Sequence, residues 1–281
     1  MTTATTGVLR VLGPQDLTEL RALLARDPVT HCFVAGRVHA AGMDSWRLGG
    51  EVWGWAEGGR LVSAVYLGAN LVPVELTPTA SRAVADRARR IGRRCSSIVG
   101  TAADVQALWS HLAEWWGPAR QIRRHQPLME IRQEPLIPAD PLVRPVRLDE
   151  LELLLPACVA MFTEEVGVSP LAGGAANAYR ARVAEVVRSG RAFARIEDGR
   201  VVFKAEIGSW APGVCQVQGV WVDPQDRGKG LAAPAMSAVV RHAYALAPIV
   251  SLYVNDFNAP ARAAYSRVGF HEVGEFTSIL F

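Results

Sequence analysis

Apolar residues recur along this chain at two spacings, and the spacing separates helices from strands. Leu17, Leu20, Leu23 and Leu24 lie on one face of a helix, and so do Leu151, Leu154, Leu155 and Cys158. Each run follows a short apolar stretch (residues 8–12 or 142–147) that predicts a strand, and an aspartate, Asp16 or Asp149. Each is followed by a strand–turn–strand pattern, around Glu57-Gly58-Gly59 and around Glu197-Asp198-Gly199. The halves share this layout without strict sequence similarity, which predicts two related α/β modules. In the second half the pattern predicts strands over 191–196, 201–208 and 214–222, a helix over 231–247 and a strand over 249–254 that is apolar apart from Ser251. A second helix follows over 259–268, with Asn258 as N-cap and Gly269 at its stop. The order is β-β-β-α-β-α-β.

Between the halves runs Gln133-Glu-Pro-Leu-Ile-Pro-Ala-Asp-Pro141, whose three prolines favour an extended connector. The expected domains are therefore 1–134 and 140–281. With 281 residues, 50% of them apolar and 20% charged, the chain is globular rather than disordered. Nothing approaches the ~18 apolar residues of a membrane span. Met1–Thr6 shows neither the basic region nor the apolar core of a signal peptide, so a cytoplasmic protein is expected. The cysteines Cys32, Cys95, Cys158 and Cys215 are far apart, and no histidine pattern suggests a metal. A net charge of +3 is too small to imply nucleic acid.

The most informative stretch is Gly219-Val-Trp-Val-Asp-Pro-Gln225-Asp-Arg227-Gly228-Lys229-Gly230-Leu231-Ala232-Ala233. A strand ends, a loop with two glycines follows, and a helix begins. That delivers free backbone N–H groups and the positive end of a helix dipole to one point, as phosphate binding requires. A Walker A loop fails here, because Lys229 precedes Gly230 instead of a Ser or Thr. A dinucleotide fingerprint, Gly228-x-Gly230-x-x-Ala233, is formally present. It stands too far from its strand, with too little chain after it for a doubly wound sheet.

Gln225-x-x-Gly228-x-Gly230 resembles the Q/R-x-x-G-x-G/A loop of the GNAT N-acetyltransferase superfamily. Asn255 at the end of the next strand, and Asn258-Ala-Pro-Ala-Arg262-Ala-Ala-Tyr265-Ser-Arg-Val-Gly269-Phe270 after it, are similar to that superfamily's following helix. The resemblance covers about 142–281. The first half looks like a degenerate copy, with no glycine in Leu76-Thr-Pro-Thr-Ala-Ser81 where the loop is expected. The resemblance implies two GNAT-like modules of mixed, mostly antiparallel sheet flanked by helices, with a splayed strand pair binding acyl-CoA in the second.

It further implies acetyl-CoA as cofactor, without a metal. The pyrophosphate would lie on the amides from Arg227 through Gly228, Lys229, Gly230 and Leu231 to Ala232, and the pantetheine arm along Val220, Trp221 and Val222. Gln225, Asn255, Asn258 and Arg262 would be its other contacts. Tyr265 would be the general acid, since a phenol can protonate a departing thiolate.

The general base is less defined. Many members carry a Glu in the strand before the loop, where this chain has Gln216 and Gln218. If the preceding hairpin turns about Ala211, Glu206 stands opposite Gln216 and Lys204 opposite Gln218, with all four on one face. Glu206 is then the candidate base; Glu164 and Glu165 are others. Cys215 should face away from this group, which argues against an acyl-cysteine route. Phe162, Glu164, Glu165, Gln216 and Gln218 are the candidate acceptor contacts.

The expected activity is transfer of an acetyl group to an amine, of a small molecule or a protein, by direct attack in a ternary complex. A non-catalytic acyl-CoA sensor or interaction module is the alternative. No nucleic acid or membrane partner is expected, and the tandem modules should form a monomer with pseudo-twofold symmetry.

Overall fold

The computed structural model describes residues 7–281; Met1–Thr6, read above for a leader, lie outside the described residues. The first elements are β1 Gly7–Val11, α1 Leu17–Leu24, α2 Cys32–Ala41, α3 Ser45–Leu48, β2 Glu51–Glu57, β3 Arg60–Leu67 and β4 Asn70–Val74. Then come α4 Pro78–Ile91, β5 Ser97–Thr101, α5 Ala102–Trp116, β6 Gln121–Ile131 and β7 Arg144–Pro145. Next are α6 Leu151–Val166, α7 Ala176–Arg188, β8 Ala192–Glu197, β9 Arg200–Ala211 and β10 Val214–Val222. The last are α8 Ala232–Ala243, β11 Ile249–Tyr253, α9 Ala259–Val268 and β12 His271–Leu280. No helix among the described residues is long and apolar enough to cross a membrane. The chain forms two units. The first takes residues up to Leu128 with Tyr253–Asp256 and Val273–Phe281; the second takes Met129–Leu252 and Phe257–Glu272.

In the first unit β1, β2, β3 and β4 are antiparallel neighbours, and β4 runs parallel to β5. Phe276–Leu280 of β12 then pairs antiparallel with β5. Period-two alternation buries both faces. Val52, Ala64, Tyr66, Val72 and Val74 pack with Leu20, Leu23, Val34 and Val38 of α1 and α2. Their neighbours Trp53, Val65, Leu67 and Leu71 pack with Val84 and Ala88 of α4 and with Val105, Leu108 and Leu112 of α5.

The second unit repeats the scheme. β7, β8, β9 and β10 are antiparallel neighbours and β10 runs parallel to β11. Ala192, Ala194 and Trp221 pack with Leu154, Cys158, Tyr179 and Val183 of α6 and α7. Phe193, on the other face, stacks on His242 of α8 at 5.2 Å. Each unit is thus a mixed, mostly antiparallel sheet flanked by helices. Both use the same hairpin turn, with two consecutive left-handed residues: Gly58 and Gly59 (φ +56° and +80°), and Asp198 and Gly199 (φ +50° and +72°).

The β9–β10 hairpin departs from its expected register. β9 continues to Ala211, which pairs with Val214, so the turn is Pro212-Gly213. Pro212 presets φ and Gly213 supplies φ +90°, the chemistry of a type II turn. Gln216 pairs with Ser209, Gln218 with Glu206 and Trp221 with Lys204. The expected pairings of Glu206 with Gln216 and of Lys204 with Gln218 are corrected accordingly. A two-residue turn and two bulges, which alternation does not reveal, moved the register.

Candidate functional site

β10 and β11 pair only at their first residues, from Val214↔Ile249 to Gln216↔Ser251. Beyond Gln216 the parallel ladder stops, while β10 continues against β9 to Val222. Among the described residues, the outer main-chain edge of Val220–Val222 therefore has no ladder partner. A bulge marks the divergence: Gly219 and Val220 together oppose Ala205, with Gly219 at φ +61°. A Cβ on Gly219 would lie 3.1 Å from both Lys204 Nζ and Met161 Cε, a tight fit, and the left-handed backbone there favours glycine.

The nine residues from Asp223 to Leu231 join β10 to α8. Asp223 starts the turn by accepting from the Gln225 N–H at 2.9 Å. Buried Asp226 anchors the middle, accepting from Arg200 at 2.6 Å and from Lys229 Nζ at 2.8 Å. Arg227 reaches back, with Nε donating to the Val222 carbonyl at 3.0 Å and the guanidinium to Glu164 at 2.7 Å. Glu164 also accepts from Trp221 Nε1 at 3.3 Å, tying α6, β10 and the loop together. Gly228 and Gly230 both sit at φ +77°, and a Cβ on either would meet nothing within 4 Å. Among the described residues, no acceptor meets the main-chain N–H groups from Arg227 to Ala232. Six unpartnered amides thus lead into a twelve-residue helix. The side-chain charges of Arg227 and Lys229 are each paired with a carboxylate, Glu164 and Asp226.

Beneath the bulge lies a sealed polar cluster. Glu206 is only 5% exposed and accepts from Gln218 Nε2 at 2.7 Å and from Arg182 at 3.2 Å. Lys204, 1% exposed, stands 3.7 Å from the other Glu206 oxygen and 3.6 Å from Cys158 Sγ. Burial pushes the Glu206 carboxyl up, but Lys204, Arg182 and Gln218 together outweigh it and hold the group below the ordinary glutamate value. It is ionised at neutral pH and a weak proton acceptor. Burial pushes the thiol of Cys215 up to about 12, which leaves it no nucleophile.

Tyr265 on α9 packs its ring against Phe270 at a centroid distance of 6.0 Å. Among the described residues nothing hydrogen-bonds its hydroxyl, yet that hydroxyl is not sealed from solvent. Burial of the ring, helped by the charge of Glu165, raises its pKa above the ordinary phenol value. It carries its proton throughout the physiological range and yields it less readily than a free phenol.

The remaining candidates have ordinary partners as well. Asn258 caps α9 through the Ala261 N–H at 3.2 Å, and Arg262 donates to Glu272 at 3.0 Å. Phe162 meets Tyr179 edge-on at 5.9 Å. Asn255 belongs to the first unit, where its Oδ1 accepts from Gln126 at 2.9 Å. Within the second unit the fold brings Trp221, Glu164 and Arg227 together, and joins Glu206 to Gln218. The sequence reading missed Arg182, a helix arginine with nothing to distinguish it. It also missed the anchor formed by Asp226 with Arg200, whose one signal is the carboxylate inside the glycine loop. Among the described residues, no group of three His, Cys, Asp or Glu side chains is placed to hold a metal ion.

Residues 173–270 match the acetyltransferase (GNAT) family, and residues 50–154 match a domain of unknown function, DUF4081. The fold is similar to that of a GNAT-family acetyltransferase from Colwellia psychrerythraea (14% identity, TM-score 0.58, 98% of this chain and 99% of that one). It is also similar to a Drosophila protein (13% identity, TM-score 0.70, 98% and 99% covered). A third neighbour is a tandem GNAT protein of the clavulanic acid biosynthesis pathway (16% identity, TM-score 0.57, 98% of both chains).

Proposed function

The C-terminal half of this chain carries a domain of the GNAT acetyltransferase family, and from that premise we propose that the protein transfers an acetyl group from acetyl-CoA to an amine by direct attack. The observation that carries this reading is the row of unpartnered amides from Arg227 to Ala232, at the point where β10 and β11 part. Such a row fits a diphosphate, because each N–H directs partial positive charge at it and nothing must first be displaced. The unpaired edge of Val220–Val222 fits an amide-bearing chain laid alongside it, although the Val222 carbonyl is already used by Arg227.

Acetyl-CoA supplies an acetyl group activated as a thioester. The residues of this chain have to hold it, exclude disorder from the attack geometry and move protons. Loop amides and the β10 edge fix position, a contribution that holding two reactants together can make large. Tyr265 offers the proton for the departing sulfur from a hydroxyl with no other use. Glu206 is the candidate acceptor of the amine proton, working with Gln218, but its lowered pKa makes it a modest base. The acceptor class is an amine of a small molecule or a protein, with Phe162, Glu164, Glu165, Gln216 and Gln218 as the nearest candidates for contact.

The alternative of an acyl-CoA sensor draws on one observation: β10 carries no carboxylate, and Glu206 is locked by three neighbours. A thiol-release assay over a panel of amines, run beside calorimetric titration with acetyl-CoA, decides between them. Transfer predicts acceptor-dependent thiol release. Tight binding without any release leaves the sensor, and no binding overturns both.

A further inference from the structure

Arg182 on α7 stands at the outer side of the sealed cluster. Its side chain is 51% exposed, while Glu206 and Lys204 are buried. A guanidinium carries five N–H donors. Among the described residues its acceptor is Glu206 Oε1 alone, at 3.2 Å, and Gln218 Nε2 already holds that oxygen at a closer 2.7 Å. The other Glu206 oxygen faces Lys204 at 3.7 Å. The charges therefore do not balance: Lys204 and Arg182 bring two positive charges to one carboxylate. The titratable neighbours add no anion. Burial raises the Cys158 thiol and the Tyr179 phenol above their ordinary values, so both keep their protons at neutral pH. The Tyr179 hydroxyl is also committed, donating to the Cys158 carbonyl at 3.0 Å.

Lys204 is sealed from water and needs the carboxylate beside it, so the surplus charge falls on Arg182 at the surface. Arg227, by contrast, is matched by Glu164 at 2.7 Å. A surplus planar cation next to Glu206 and Gln218 suits one further carboxylate, which it can grip through two parallel N–H bonds. We propose that the amine acceptor also carries a carboxylate, as a free amino acid does, and that Arg182 binds it. The proposal rests on the acetyl-transfer reading above, which puts Glu206 and Gln218 at the acceptor end of the site. It makes Arg182 a specificity-determining residue and narrows the acceptor from amines in general to amino acids.

Thiol release from acetyl-CoA by the full chain, with the common amino acids as acceptors beside their carboxamides, tests it. The wild-type protein should favour at least one amino acid over its carboxamide by about tenfold or more in kcat/KM, chiefly through KM, the scale of one charge-assisted contact. Arg182→Gln should cut that ratio to about twofold or less by raising KM for the acid more than for the carboxamide. It leaves Lys204 paired with Glu206, so the variant should still unfold cooperatively in denaturant. Arg182→Lys keeps the charge without the fork and should show an intermediate ratio. Arg180→Ala, an exposed arginine of α7 paired with Glu152, should keep the wild-type ratio. A wild-type protein with no preference for the acid, or a full preference retained in Arg182→Gln or Arg182→Lys, overturns the proposal. So does a loss in Arg182→Gln that is equal for acid and carboxamide, because that is the mark of a residue that only holds Glu206. Release with the carboxamides but with no amino acid overturns it while leaving acetyl transfer standing. Acetyl-CoA binding without release to any of these amines overturns the transfer reading, and this one with it.

Discussion

The two units build the same corner in opposite ways. In each, the fourth strand of the sheet runs parallel to the fifth for two or three residues and then leads into a helix. After β10 the connection is nine residues long, and its amides are open. After β4 it shrinks to the three residues from Glu75 to Thr77, and the N–H groups of Leu76 and Thr77 are both bonded. The Leu76 N–H goes to Asp104 at 3.0 Å, the Thr77 N–H to Ser63 Oγ at 3.2 Å, and the Ala80 N–H to Thr77 Oγ1 at 3.1 Å. Glu75 takes the strained backbone there, at φ +48°, and pairs with Arg26 at 2.7 Å. A carboxylate of the chain itself thus sits on the amide that the other unit leaves open. One fold leaves a row of amides open or closes it through loop length and the placement of one aspartate.

If chemistry belongs to the second unit alone, Tyr265→Phe has the largest effect, since α5 of the first unit contains no tyrosine to substitute for it. Turnover should fall by about 10²–10⁴ while acetyl-CoA affinity stays nearly constant, because general acid catalysis is worth that much. Wild-type turnover in the Phe variant would remove Tyr265 from the reaction.

Glu206→Gln should come next. It leaves Lys204 sealed in without its countercharge, a change worth about 3 kcal/mol of stability, measured by denaturant unfolding at neutral pH. The sign with pH follows from the lowered carboxyl. Glu206 stabilises the fold above the ordinary glutamate range and loses that contribution as pH falls through its folded value. The Gln variant should therefore show a flatter acid limb of stability. An unchanged stability profile would mean that the cluster is not a structural ion pair.

Gly230→Val comes third. No protein atom is in the way, but a side chain at φ +77° costs about 1–2 kcal/mol, and its bulk would project into the open space over the loop. Acetyl-CoA affinity should fall by about tenfold or more in a variant that still unfolds cooperatively. The smallest effect belongs to the closed corner. Burial raises the Asp104 pKa, so its folded form is favoured below the aspartate range and loses that advantage as pH rises through the folded value. Asp104→Asn keeps an acceptor for Leu76 and should raise stability at neutral pH by up to about 1 kcal/mol. Lower stability in that variant would mean that the charge itself holds the corner shut.

Much of this was legible in the sequence because it depends on local chemistry. Gly228 and Gly230 supply the backbone angles the loop uses, Asn258 caps its helix, and the paired glycine-containing hairpins mark both units. The pairing of Glu206 with Gln218 was not legible, because the turn at Pro212-Gly213 and the unpaired Gly208 set the register without disturbing the hydrophobic pattern. The engagement of Arg227 by Glu164 joins residues 63 positions apart, and no spacing rule reports such a contact. The closed corner of the first unit was half visible: the missing glycines are in the sequence, but nothing there announces that Asp104 fills the gap.

The partner of β5 has a consequence in time. Phe276–Leu280 pairs with β5, the last of five strands, β1 to β5, that all precede residue 102. At synthesis rates of 5–20 residues per second, β5 waits roughly 10–30 s for that partner. Throughout that interval the nascent first unit presents β5 as an open ladder, available to any other chain in the same condition. The C-terminal strand therefore acts as a closing stitch, and a message cut short near its end would release a protein whose damage lies in its first half.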